Sequence, residues 1–214
     1  MKRTLAVLVM LFLATTVHAE SAEVRFLMSN LTPQGLDDNW ESAYGLDVQL
    51  VNWLSPAVGM AASVGVSQWD AHDTALAEYY PGSGTSVSAR IDGDATVFPI
   101  GLSMLLRPIS SRAAEVTLEA GFRYAVVSSD VSARYRIDDE SGTVYGEDRI
   151  DLEDGFYGLV GLDIAFPLSR YAKIGVGVGY QFDISKGDAA FFGTDIGENE
   201  FDASIVRIAF QAGF

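Results

Sequence analysis

Residues Phe201–Phe214 read FDASIVRIAFQAGF, and their alternation decides the fold. Val206, Ile208, Phe210, Ala212 and Phe214 form one set; Ile205, Arg207, Ala209, Gln211 and Gly213 form the other. Successive side chains on a strand point to opposite faces, so the first set is a continuous apolar stripe. The second is small or polar, with an arginine near its middle. In a water-soluble sheet the apolar stripe would face a core. In a transmembrane barrel it faces lipid, and the polar stripe lines the lumen.

Upstream, the same period-2 pattern recurs seven times. The strands expected are Glu23–Asn30, Ala43–Leu54, Ala57–Trp69, Ala95–Arg107, one starting near Ala114, one ending near Leu168, and Ala172–Ile184. Pro99 inside the fourth points to a bulge or a strained strand end. Short connections at Ser55-Pro56, Pro108–Arg112 and Ser169–Tyr171 alternate with long ones at 30–42, 70–94, 127–155 and 186–200. The third long connection keeps its alternation through Val131, Ala133, Tyr135 and Ile137 before the turn residues 138–142, which indicates a projecting hairpin. Transmembrane barrels have short turns on the periplasmic side and long loops outside. An even strand number then leaves both termini in the periplasm. Trp53, Trp69, Phe98, Tyr124, Phe156 and Tyr171 lie near strand ends, where an aromatic girdle belongs.

The first residues fit this picture. Met1-Lys2-Arg3, an apolar run over Leu5–Leu13, and Val17-His18-Ala19 have the layout of a secretory signal peptide, so the fold is expected over residues 20–214. The chain has no cysteine, which excludes a lipid-anchoring thiol, disulfides and thiolate metal sites. The formal charge is −15, and −17 without Lys2 and Arg3, which disfavours nucleic acid as a partner.

The eight-strand pattern, the stretch IGVGVGYQFDI at 174–184 and the terminal IVRIAFQAGF at 205–214 resemble the small outer-membrane barrels of the OmpX, Ail and opacity-protein type. The resemblance spans Glu20–Phe214. It implies an all-β, single antiparallel up-and-down barrel of eight strands in a bacterial outer membrane, surrounded by lipid and lipopolysaccharide. It also implies that Phe210 and Phe214 form part of the signal read by the barrel assembly machinery. No cofactor is expected.

Seven ionisable residues fall on inward positions: Asp47, Glu119, Arg123, Asp163, Lys173, Asp183 and Arg207, with Arg25 as a further member. Counting up from the short turns puts Asp47, Glu119, Asp163 and Arg207 at comparable depth. Eight strands leave a lumen just wide enough for side chains to fill. Charges there must pair or keep water. Two readings stay open: a charge network that plugs the barrel, or a gated pore whose charges select ions. Hydrolytic chemistry of the lipid-modifying kind needs a histidine poised near neutral pH. The only histidine past residue 19 is His72, flanked by Asp70 and Asp73 in a long loop, with the bland reading of a solvated residue. Asp92-Gly93-Asp94 and Asp138-Asp139-Glu140 have the oxygen ligands calcium takes, but also the composition of ordinary turns. The acidic loops are either simply solvated or bridged by divalent cations to lipopolysaccharide phosphates. The expected role is non-enzymatic: envelope integrity or surface interaction through the loops. A narrow channel for small solutes or hydrophobic compounds is the alternative, and a lipid-modifying enzyme the third.

Replacing Phe214 by a charged residue is expected to slow insertion far more than the same change at Gly213. Heat-modifiable folded yield measures this, and equal yields would contradict the assembly role.

Overall fold

The computed structural model describes residues 21–33, 40–71, 74–80, 85–139, 142–185, 187–191, 194–199 and 201–213. Eight strands close a barrel: β1 (Ser21–Pro33), β2 (Trp40–Trp53), β3 (Val58–Ala71), β6 (Asp94–Ser110), β7 (Glu115–Ser129), β10 (Gly155–Pro167), β11 (Ala172–Ser185) and β14 (Ala203–Gly213). Each pairs antiparallel with its neighbours, and β1 against β14 completes the ring, with Phe26 opposite Phe210 and Ser29 opposite Arg207. Closure removes the strand edges, so every wall strand has partners on both sides.

Apolar residues at even positions point away from the lumen. Met28, Leu46, Met104, Leu118, Leu162, Val178 and Ile208 are all exposed to the surroundings of the barrel. A belt this continuous is costly in water and favourable in hydrocarbon. Phe98 and Phe156 are exposed on this outer face, Tyr124 is partly so and Tyr171 is exposed in the turn before β11, but Trp53 and Trp69 are 1% exposed and point inward. Those two are lumen residues and not part of a girdle. Both occupy odd positions, the inward parity of their strands.

The three short turns share one device. Ser55, Ser111 and Ser169 each accept two backbone N–H groups on the side-chain hydroxyl, from Ala57 and Val58, Ala113 and Ala114, and Tyr171 and Ala172. This closes a turn without glycine. The middle turn falls later than the expected Pro108–Arg112, because β6 continues to Ser110 after a register shift between Leu106 and Ile109. Around Pro99 the register is the same on either side, with Val64 opposite Ile100 and Ser67 opposite Val97. The proline is therefore absorbed within β6 without a bulge against β3.

The long connections differ most from expectation. Residues 70–94 and 186–200, expected as loops, contain β4 (Thr74–Tyr80), β5 (Thr85–Asp92), β12 (Gly187–Phe191) and β13 (Thr194–Asn199). The projecting hairpin is β8 (Val131–Asp139) and β9 (Gly142–Leu152). These six strands form a second sheet in the order β13-β12-β9-β8-β5-β4. That order repeats the barrel order β14-β11-β10-β7-β6-β3, so six of the eight wall strands continue upward. Short breaks separate the two sheets. Gly93, at φ 131°, supplies one break in a backbone conformation that a side chain would strain. Asp154 and Asp202 bridge two others, accepting N–H groups from Val127 (2.9 Å) and Asp183 (2.6 Å).

Across these breaks the binary pattern inverts. Below, even positions are apolar and outward. Above, Val131, Ala133 and Ile150 are buried on the inner face, while Arg134, Tyr145 and Arg149 are exposed on the outer. Inward parity stays odd from Thr117 to Val131, except that Ile150 lies at an even position across the break at 153–154. What changes is the medium outside the wall, from hydrocarbon to water.

Glycines opposite the lumen charges make room for them. A Cβ on Gly177 would lie 2.0 Å from Asp163 Oδ1, and one on Gly65 2.1 Å from Asp47 Oδ1. Gly177→Ala should therefore destabilise the refolded barrel by about 1–3 kcal/mol, the usual range for overpacking. Gly213→Ala, whose Cβ meets nothing closer than 3.9 Å, should be near neutral. Urea titration of the two variants checks the contrast.

Candidate functional site

The lumen is filled in three layers. The middle layer centres on Arg207 of β14. Its Nε and Nη2 donate to Asp163 Oδ1 and Oδ2 of β10, at 2.8 and 2.6 Å, a bidentate fork. The same Nη2 donates to Glu119 Oε2 of β7 at 2.7 Å. Neither partner is on a neighbouring strand of β14: β11 separates it from β10, and β7 lies one strand further. The gap is crossed over Gly177 and Gly161, each lacking a side chain that would stand in the way. Gln49 of β2 donates to Glu119 Oε1 at 3.0 Å from the opposite wall. Beside it, Arg123 of β7 donates to Asp47 of β2 at 3.0 Å. Side chains of Arg207, Glu119 and Asp163 are 3%, 0% and 3% exposed, so this network is dry with respect to bulk solvent.

The layer nearest the short turns holds Lys173. Its ammonium donates to Glu23 Oε1 (2.9 Å) and Glu115 Oε2 (2.8 Å). Arg107 donates to the same Glu23 oxygen at 3.1 Å, and Arg25 to Glu23 Oε2 at 3.3 Å. The Arg107 guanidinium also lies over the Trp53 ring, 3.5 Å from its centroid.

The third layer closes the opposite end and is apolar. Trp40 stacks on Phe201 (centroids 5.6 Å apart) and Trp69 meets both edge-on, at 6.0 and 5.0 Å. Trp69 Nε1 donates to Ser67 Oγ at 2.9 Å, so the buried indole is satisfied. Leu31, Val97, Tyr157, Leu159 and Ile205 pack into the same cluster, which continues into Val131, Ala133 and Ile150 of the upper sheet.

Five of the seven expected lumen residues, Asp47, Glu119, Arg123, Asp163 and Arg207, thus lie in one layer. Lys173 stands apart in the layer below. Asp183 is not in the middle network either: it sits at the upper rim of β11, where its Oδ2 accepts the Phe201 N–H at 2.7 Å. Glu23, Arg107, Glu115 and Gln49 were not singled out from the sequence, although all four occupy inward parity. The first three already lie at the short-turn ends of the expected strands, so following inward parity to the strand ends finds them. Phe210 is outward, opposite Phe26 and Ile174, whereas Phe214 lies outside the described residues.

On the described side chains of β8 and β9 the paired charges lie on the outer face. Arg134 pairs with Glu147 (3.3 Å), Arg149 with Asp130 (2.5 Å) and Arg136 with Asp138 (2.9 Å). The Asp138 carboxyl is held below its ordinary value, first by the Thr143 hydroxyl and then by Arg136. Asp94 accepts from Gln68 Nε2 at 2.7 Å. Among the described residues no group of three or more acidic or histidine side chains is arranged to hold a metal. His72 lies outside the described residues.

Because Arg207 holds two carboxylates, Arg207→Ala leaves both buried without that cation, Glu119 keeping only the Gln49 amide among the hydrogen bonds named above. A loss of about 3–5 kcal/mol is expected, the range for breaking a buried pair. Removing Glu119 as well should cost less than the sum of the two single changes, since it deletes one stranded charge. Urea titration of the refolded single and double variants reads this; additive losses below 1 kcal/mol would show a solvated lumen.

No family model and no curated protein sequence matches the chain. Among solved structures, the outer membrane protein OprG from Pseudomonas aeruginosa superposes with a TM-score of 0.60 at 14% identity, covering 92% of this chain and 97% of that one. Neisserial surface protein A aligns with a TM-score of 0.49 at 8% identity, over 91% and 96% of the two chains. Ail of Yersinia pestis aligns at 0.41 and 10%, over 91% and 97%. At such identities the likeness concerns the fold, and a fold is compatible with many functions. With its closed ring of eight antiparallel strands, the chain has the fold of the small outer-membrane β-barrels.

Proposed function

We propose that this chain is an integral protein of a bacterial outer membrane, non-enzymatic, with a closed lumen and its activity outside the membrane. One observation carries the reading: the lumen is filled from end to end by paired charges and an aromatic cluster. Moving a solute through it would break several dry ion pairs at once, each costly to separate. What remains available is the six-stranded sheet. The outer face of its β8–β9 hairpin is charged and water-compatible, so it supports contact with lipopolysaccharide or with an extracellular partner. The apolar belt sits in lipid, the short turns and both termini lie in the periplasm, and insertion depends on the barrel assembly machinery. Envelope integrity or surface interaction is the resulting role.

Two measurements test it. Refolded protein in planar bilayers should give no discrete conductance; reproducible openings lost or altered in Arg207→Ala would make the protein a channel. Cysteines at Val144, on the exposed β9, and at Arg170, in a short turn, have no native thiol to compete with. Intact cells should be labelled by an impermeant maleimide at position 144 and not at 170, and the reverse pattern would invert the orientation.

A further inference from the structure

The layer at the short-turn end has more donors than acceptors. Arg25, Arg107 and Lys173 share Glu23 and Glu115. Glu23 accepts on both oxygens, from Arg25 on one and from Arg107 and Lys173 on the other. Among the described residues, three N–H groups of Arg25, Arg107 and Trp53 nevertheless make no hydrogen bond: Arg25 Nε, Trp53 Nε1 and Arg107 Nε, the last only within ion-pair range of Glu115 at 3.4 Å. Arg25 and Trp53 are each 1% exposed. They are neighbours, the Arg25 guanidinium carbon lying 5.8 Å from the Trp53 ring centroid. A Cβ on Gly59 would already be 2.8 Å from that ring, so Trp53 is pressed flat against β3, with Arg107 on it at 3.5 Å.

A buried N–H without an acceptor costs stability comparable to a lost hydrogen bond, and more when the donor is charged. Buried donors of this kind on neighbouring side chains, in a layer that carries one surplus positive charge among the described residues, suit an anion. Asp47, two positions along β2 from the Gln49 that faces Arg25, is engaged by Arg123. The layer is also reachable from its own end, since the Lys173 and Arg107 side chains keep 17% and 10% of their exposure. We propose that the short-turn mouth of the lumen is a binding site for a small monovalent inorganic anion of the chloride class. Arg25 Nε and Trp53 Nε1 donate to it, and the surplus cation balances its charge. The lumen of eight strands has little room beyond its side chains, which excludes larger organic anions. An anion held only by the folded barrel stabilises it by mass action.

The test is urea unfolding of the refolded protein in phosphatidylcholine vesicles at constant ionic strength, with gluconate replaced stepwise by chloride. The urea midpoint should rise with chloride and saturate. Trp53→Phe keeps the ring and removes the donor, and should lose the response; Arg25→Gln should lose it too. If Arg25→Gln does not fold, Trp53→Phe alone decides. Equal midpoints in gluconate and chloride overturn the proposal, as does an unchanged response in Trp53→Phe. Crystals grown with bromide should show anomalous density beside Trp53 Nε1. Such a peak without a midpoint shift means an adventitious ion only and also overturns it. None of these readouts depends on whether the barrel conducts.

Discussion

A wall whose outer surface meets hydrocarbon has no water on that side to satisfy polar groups, and the rest of the structure depends on this constraint. Backbone groups are satisfied by closing the sheet from β1 to β14. Polar side chains are left with one place to go, the lumen, where an eight-strand ring holds them within reach of one another. Arg207 therefore reaches across β11 to Asp163 and onward to Glu119. Contacts of this kind are geometrically available only because glycines flank them; Gly177 and Gly65 are as much a part of the network as the charges they admit.

The barrel was legible in the sequence because strand parity carries most of its information. Within a strand, one residue of misregister would turn every apolar side chain inward, and the belt tolerates no such slip. Arg207, Glu119, Asp163, Asp47 and Arg123 could be read as inward on parity alone. Which of them meet could not, since the partners sit two or three strands apart and depend on shear. The tryptophans failed for a related reason. Trp53 and Trp69 were expected in a girdle because of their closeness to strand ends, yet parity puts them inside, and parity prevails. Lys173 and Asp183 are inward in the sense expected, but depth separates them from the middle layer. Depth requires knowing where each strand begins relative to its neighbours, which β6 changes by its shift between Leu106 and Ile109.

The strands above the belt were hidden by a different cause. Residues 70–94 and 186–200 are rich in Asp, Glu, Gly and Ser, and composition of that kind suggests loops. It is overridden here by a template: β3, β6, β11 and β14 are already paired, and their continuations can extend the existing ladders at little entropic cost. The hairpin β8–β9 was readable because its own alternation survives. Even so, the inner and outer roles of that alternation trade places at the breaks, a consequence of water replacing lipid outside the wall.

The same inversion bears on function. A hairpin such as β8–β9, with apolar inner residues at its base and charges outside, can stand above a membrane only if something covers those inner residues. Here the aromatic cluster of Trp40, Trp69 and Phe201 does so at its base, continuous with Val131, Ala133 and Ile150. The seal of the lumen and the footing of the upper sheet are thus one hydrophobic cluster. Opening the lumen from this end would strip the sheet of its support, whereas a structure that keeps the cluster intact keeps the sheet in place. A closed barrel and an upright outer sheet are therefore coupled requirements, and the cost of one conducting state would be counted against the other. That coupling favours a static barrel that presents a surface over a barrel that passes solutes.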